Sequence, residues 1–221
     1  MTDIQTERKI AQDLLEIGAV TLSSEAPFIW ASGLLSPIYC DNRMTMGYPD
    51  VRRRIRDAFD DRIRREKLRP DIIAGTATAG IPHAAWLAES LDLPMIYVRS
   101  KPKEHGKGSA IEGPVKEGQR VVVVEDLIST GGSSIGVVRA LRSEKLDVVA
   151  VLAIFSYELQ ESEHAFSEIG VPLFTLTNFG HLLDVAVSSG KLDVRGAESL
   201  AAWRRDPRQW TRDRREKEGS R

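Results

Sequence analysis

Val121-Val122-Val123-Val124-Glu125-Asp126-Leu127-Ile128-Ser129-Thr130-Gly131-Gly132-Ser133 decides how the rest of the chain is read. Four consecutive β-branched residues make a strand buried on both faces, which belongs in a parallel sheet covered by helices. Ligands of open parallel sheets bind just beyond the carboxyl ends of the strands. Here that end carries two adjacent acids, which are costly to bury without partners. A bend of small residues follows, where backbone N–H groups can approach an anion closely, and the next helix adds its positive N-terminal end. Glu125 and Asp126 are expected to present carboxylates to the paired hydroxyls of a ribose while Ser129, Thr130, Gly131, Gly132 and Ser133 wrap a phosphate. The segment reads as a sugar-phosphate clamp.

Outward from it, short apolar runs alternate with helical patterns. Asp71-Ile72-Ile73-Ala74-Gly75 predicts a strand, 81–91 a helix opened by Pro82, Met95-Ile96-Tyr97-Val98 a strand, 133–144 a helix, and 148–155 another buried strand. The fold class is α/β, a doubly wound parallel sheet. Before it, Ile10, Leu14 and Ile17 mark a helix, and Val51, Ile55, Phe59 and Ile63 mark another over 50–69 with a basic outer face. Residues 28–41 read as a hairpin around Ser-Gly-Pro, part of a small N-terminal hood at about 20–48. Residues 99–112 lack apolar periodicity and carry Arg99, Lys101, Lys103 and Lys107, so a mobile cationic lid is expected. One domain over 1–200 is predicted, with a flexible basic tail at 201–221.

Composition agrees and excludes alternatives. The 221 residues are 42% hydrophobic and 29% charged with a formal net charge of −1, so no global field advertises a nucleic-acid partner. The longest apolar run, 148–155, is far short of the roughly 20 residues that span a bilayer, and the N-terminus lacks a signal-peptide core. Cys40 has no second cysteine to bridge, which fits a reducing, cytoplasmic setting, and it reads as a small core residue. His83, His164 and His181 have no partner spacing and read as structural or surface groups. Gly75-Thr76-Ala77-Thr78-Ala79-Gly80 has the glycine spacing of a P-loop, but Ile81-Pro82 stands where Lys and Ser/Thr are required.

The 121–133 segment resembles the phosphoribosyl diphosphate signature of the type I phosphoribosyltransferases. Ser32-Gly33-Leu34-Leu35-Ser36-Pro37-Ile38-Tyr39, Gly75 to Gly80 and Arg99 to Gly108 resemble, in order and spacing, the orotate-using members of that family. The resemblance implies transfer of ribose 5-phosphate from phosphoribosyl diphosphate to orotate, giving orotidine 5'-monophosphate and diphosphate in pyrimidine biosynthesis. It implies that Glu125, Asp126, Leu127, Ile128 and Ser129 to Ser133 bind the ribose phosphate, with Ser129 also touching the base. Thr76, Ala77, Thr78, Ala79 and Gly80 face the diphosphate through backbone groups. Arg99, Lys103 and His105 act catalytically beside Asp126, the lid reaching across a homodimer. It also implies Mg²⁺ held mainly by diphosphate and water, with no protein metal cage.

Two positions depart from that pattern. Ala31 stands where a Lys is usual before the Ser-Gly pair, and Phe155-Ser156-Tyr157-Glu158 lacks an expected Arg. Both remove cations near the orotate carboxylate, and Arg43 is the nearest candidate to replace them. A purine phosphoribosyltransferase shares the clamp but not the hood. A non-catalytic phosphoribosyl-diphosphate sensor that binds nucleic acid through 50–69 or the tail is the rival from another class.

Overall fold

A computed structural model of the chain describes residues 4–23, 26–30, 33–100 and 110–219. Its elements run α1 (Ile4–Glu16), β1 (Val20–Leu22), β2 (Phe28–Ile29), β3 (Leu35–Ser36), β4 (Ile38–Cys40), a 3-10 turn (Asn42–Gly47), α2 (Pro49–Arg65), β5 (Ile72–Thr76), α3 (Gly80–Leu91), β6 (Met95–Val98) and β7 (Ile111–Glu112). They continue with β8 (Arg120–Ile128), α4 (Gly132–Ser143), β9 (Asp147–Ser156), α5 (Gln160–Ile169), β10 (Leu173–Asn178), α6 (Phe179–Ser188), α7 (Val194–Arg205) and α8 (Pro207–Gly219).

The main sheet has the order β10-β9-β8-β5-β6-β7, parallel throughout except for the β6–β7 edge pair. From β5 the chain moves outward to β6, then returns to place β8 on β5's other side. The connection after β5 and the connection after β8 therefore diverge, opening a crevice at their carboxyl ends. The valines of β8 show why both faces are covered. Val122 and Val124 pack into a core with Ile10, Leu14, Phe59 and Leu87 from α1, α2 and α3, whereas Val121 and Val123 pack with Ile135, Val138 and Phe166 from α4 and α5. Side-chain alternation along one strand thus feeds two cores.

The hood differs from a single hairpin because Pro37 splits its second run. Leu35 and Ser36 pair with Ile29 and Phe28, while Ile38 to Cys40 pair with Leu22 to Val20. Helix α2 stops at Arg65, short of the expected 69, because Lys67 and Arg69 take left-handed φ values of 53° and 47°.

The expectation of a solvated tail from Trp203 is corrected. Residues of α7 and α8 return to the hood, with Trp203 fully buried. Its indole N–H donates to the Leu35 carbonyl at 3.0 Å, and the Leu35 N–H donates to the Thr211 hydroxyl at 3.1 Å. Leu200 and Trp203 lie one turn apart and bury together, so the basic side chains ride on the outside of a packed stripe.

Candidate active site

At the crevice, β8 delivers the acidic pair, and alternation divides its two members. Glu125 is 5% exposed and turned toward α4: its Oε2 accepts from the Ser134 hydroxyl at 2.9 Å and its Oε1 from the Asp126 N–H at 3.0 Å. Burial, reinforced by the neighbouring Asp126, pushes the Glu125 carboxyl up to about 8. Asp126 is half-buried, and burial raises its carboxyl as well. Its backbone carbonyl accepts from the Asn42 side-chain amide at 2.6 Å, which ties the clamp to the turn after the hood. Ser129 is half-buried; Thr130, Gly132 and Ser133 are exposed around the buried Gly131. Gly131 has φ 83° and caps α4 without a side-chain hydrogen bond, leaving the first-turn N–H groups facing outward for an anion. A Cβ on Gly131 would also come within 3.1 Å of the Phe166 ring.

The second wall is the turn from β5 into α3. Thr76 ends β5 and Gly80 begins α3, with a cis Ala77–Thr78 peptide between them. Gly75 and Gly80 let this turn press on its surroundings: a Cβ at Gly75 would lie 2.9 Å from the Ile81 Cα, and one at Gly80 would run into the Val124 carbonyl. A cavity of about 440 Å³ opens here, lined by Ala77, Thr78, Ile81, Tyr97, Arg99 and Ser100 together with Glu112. Arg99 faces Glu112 across 3.5 Å. The structure thus brings Arg99 and the 76–80 turn to one cavity.

A larger cavity of about 720 Å³ adjoins the clamp through Leu127, Ser129 and Thr130. The hood contributes Trp30, Leu34, Tyr39 and Cys40, strand β9 is continued by Tyr157, and the α7–α8 junction closes one side. Trp30 and Tyr157 meet at 5.2 Å between centroids with their rings tilted by 47°, and both contact Trp203 edge-on, forming an aromatic cluster behind this cavity. The Cys40 thiol, raised well above its ordinary value by burial, donates to Asn42 Oδ1 at 3.3 Å and behaves as a core group.

Arg43 does not line this cavity. Its guanidinium forms a two-pronged pair with Asp41, at 2.6 and 2.7 Å, on an exposed part of the turn, so its donors are already directed to a neighbour two residues away. Lys103, His105 and Ala31 lie outside the described residues. Sequence reasoning missed Asn42 and the arginines of 204–208. For Asn42 nothing local gives a signal, because its partner is 84 residues away. For the arginines the signal was present: Leu200, Trp203 and Trp210 share helical spacing inside the basic stretch.

Residues 48–178 match the phosphoribosyl transferase domain family. An orotate phosphoribosyltransferase of Listeria monocytogenes is 51% identical over 204 residues, covering 92% of this chain and 98% of that protein. The crystal structure of orotate phosphoribosyltransferase from Aeropyrum pernix superposes with a TM-score of 0.72 at 30% identity, over 83% of this chain and 99% of that one. The structure of Leishmania donovani UMP synthase gives a TM-score of 0.76 at 27% identity over 89% of this chain, which spans 42% of that longer protein. The fold and crevice define a type I phosphoribosyltransferase. With relatives this similar over nearly its whole length, the chain belongs to the orotate phosphoribosyltransferase family.

Proposed function

We propose that the chain transfers the 5-phosphoribosyl group of phosphoribosyl diphosphate to orotate, releasing diphosphate and forming orotidine 5'-monophosphate for pyrimidine synthesis. The observation that carries this is the three-part crevice: an uncapped helix N-terminus behind Asp126, a glycine-tight turn beside Arg99, and an aromatic cavity that adjoins the first of these at Ser129 and Thr130. Asp126 holds the ribose hydroxyls, and Glu125, with both oxygens already bonded inside the protein, fixes the strand end that carries it. Ser129 to Ser133 receive the 5'-phosphate. Thr76 to Gly80 and Arg99 face the diphosphate, where cations stabilise the negative charge that grows as the leaving group departs.

Mg²⁺ belongs to the same reading. In this reading the ion is carried by diphosphate oxygens and water, without a protein cage. When bound, it neutralises diphosphate charge. Lys103 and His105 complete the lid, reaching the site of a second copy of the chain. The exposed Met44, Met46 and Tyr48, close together after the hood, give that copy an apolar surface to cover. Among the described residues no helix is long and apolar enough to cross a membrane, and a cytoplasmic setting is part of the proposal.

Base competition with purified protein tests the assignment. Orotate is expected to consume phosphoribosyl diphosphate with release of diphosphate, and adenine or xanthine is not. Diphosphate release with a purine and none with orotate would overturn it.

A further inference from the structure

Orotate carries a carboxylate on its pyrimidine ring, and a guanidinium at that edge of the base is the side chain best shaped to select it. Assigning the 720 Å³ cavity to the base, as above, restricts where that cation comes from. The hood, β8 and the end of β9 supply it with aromatic, aliphatic, thiol and hydroxyl side chains. Among the described residues, every cation lining it comes from the α7–α8 junction: Arg204, Arg205 and Arg208.

These three are not equivalent. Arg204 is held by Glu158 at 2.7 Å and lies over the Phe179 ring at 5.7 Å. Arg208 faces Glu161 at 3.5 Å. The acid next in sequence, Asp206, is engaged in capping α8, its Oδ1 accepting the Gln209 N–H at 2.8 Å. Arg205 is exposed, lines the cavity and forms no ion pair with any described residue. Its backbone is nevertheless well anchored. Trp203, two residues before it, and Thr211, six after it, are both hydrogen-bonded to Leu35 of the hood, so the junction is fixed to the same strand that shapes the cavity.

We propose that Arg205 is the specificity residue that receives the base carboxylate, and that the α7–α8 junction is the wall through which this site prefers an acidic pyrimidine. A planar guanidinium offers two parallel donors to a carboxylate, whereas the neutral edge of uracil presents no such acceptor pair. The cation thus arrives from the stretch that composition alone marks as a solvated tail.

Steady-state kinetics on Arg205→Ala and Arg205→Lys, with uracil as a competing base, tests this. Loss of a charge-assisted pair is expected to raise KM for orotate in Arg205→Ala by about tenfold to a hundredfold. KM for phosphoribosyl diphosphate and inhibition by uracil should stay at wild-type values, and Arg205→Lys should recover part of the orotate affinity. An orotate KM within about twofold of wild type overturns the proposal, since a lost ion pair in a partly closed cavity is worth more than that. So does a parallel weakening of uracil or phosphoribosyl diphosphate, which would make Arg205 a shaping residue. Wild-type turnover separates the two levels: no use of orotate defeats the base assignment itself, while normal use of orotate by both wild type and Arg205→Ala defeats only the role of Arg205.

Discussion

The Asn42 side chain donates its amide to the backbone carbonyl of Asp126 across 2.6 Å, so the turn after the hood and the strand end that starts the clamp move as one piece. The bond is the last link of a buried chain. His83 of α3 meets the Thr45 hydroxyl oxygen at 3.2 Å, and that hydroxyl donates to the Asn42 carbonyl at 2.6 Å. Because the Thr45 proton is committed to Asn42, His83 must carry its own proton on Nε2. Its Nδ1 is left bare, in agreement with that atom having no hydrogen-bond partner among the described residues. Helix α3 grows out of the 76–80 turn, so the relay joins both anion-facing walls of the crevice through the hood.

Asn42→Ala removes the amide and leaves the Asp126 carbonyl without this donor. An unsatisfied buried acceptor costs about 1–3 kcal/mol. Thermal melting should show a loss of that order, and KM for phosphoribosyl diphosphate should rise because the clamp loses its brace. A variant that melts earlier with an unchanged KM would mean that Asn42 serves the fold alone.

His83 gives the protein a pH dependence whose sign is fixed. Burial lowers its imidazole from 6.5 to about 4, so below pH 6.5 the unfolded chain binds a proton that the folded one refuses. The stability it contributes is present above pH 6.5 and is lost as pH falls toward 4. Melting temperatures measured between those limits should fall more steeply for wild type than for His83→Gln, which keeps a polar group but does not titrate. Parallel slopes for the two proteins would remove His83 as the cause.

Gly80 is the tightest point of the diphosphate turn. A methyl group there would collide with the Val124 carbonyl, and neither a strand backbone buried on both faces nor the start of α3 has room to yield. Gly80→Ala should therefore displace the turn, with a stability cost of about 1–3 kcal/mol of the kind that overpacking produces. The accompanying kinetic sign is a raised KM for phosphoribosyl diphosphate with little change in that for orotate, whose cavity shares no lining residue with the one at this turn. Equal loss for both substrates would place the damage in the global fold.

What the sequence discloses and what it hides follow from how local the governing interaction is. The four valines, the glycines at 75, 80 and 131, and the acids at 125 and 126 act through strand period, turn conformation and helix ends, which neighbours in sequence determine. The strand end at 125–128, the bend that opens α4 and the 76–80 turn are legible as local structure for that reason. The division of labour within the acidic pair is not: alternation sends Glu125 to Ser134, nine residues on, and only the packing of α4 shows that its oxygens are occupied. In the sequence Arg43 reads as the replacement cation, and nothing in composition reveals that it pairs with Asp41 two residues before it. The α7–α8 segment misled most, since eight Lys and Arg after Trp203 outweigh the few apolar positions in any composition count. Yet those few positions decide the packing, because one buried indole outweighs several solvated charges.

Trp203 is where that last point can be measured. Its ring lies against Trp30, Tyr157 and Phe179, at centroid distances of 5.5, 5.8 and 5.9 Å, and its N–H satisfies the Leu35 carbonyl. Trp203→Ala should cost about 3–5 kcal/mol, the range for emptying a large aromatic site. Trp203→Phe is the more informative change, because it keeps most of the apolar surface and deletes the donor to the hood. Its melting point should drop by about 2–4 °C for each kcal/mol lost, the scale for a domain of this size. Because Arg205 follows two residues later on the same helix end, loosening this anchor should also raise KM for orotate while leaving that for phosphoribosyl diphosphate near its wild-type value. A lowered melting point with both Michaelis constants unmoved would show that the α7–α8 segment stabilises the hood without forming part of the base site.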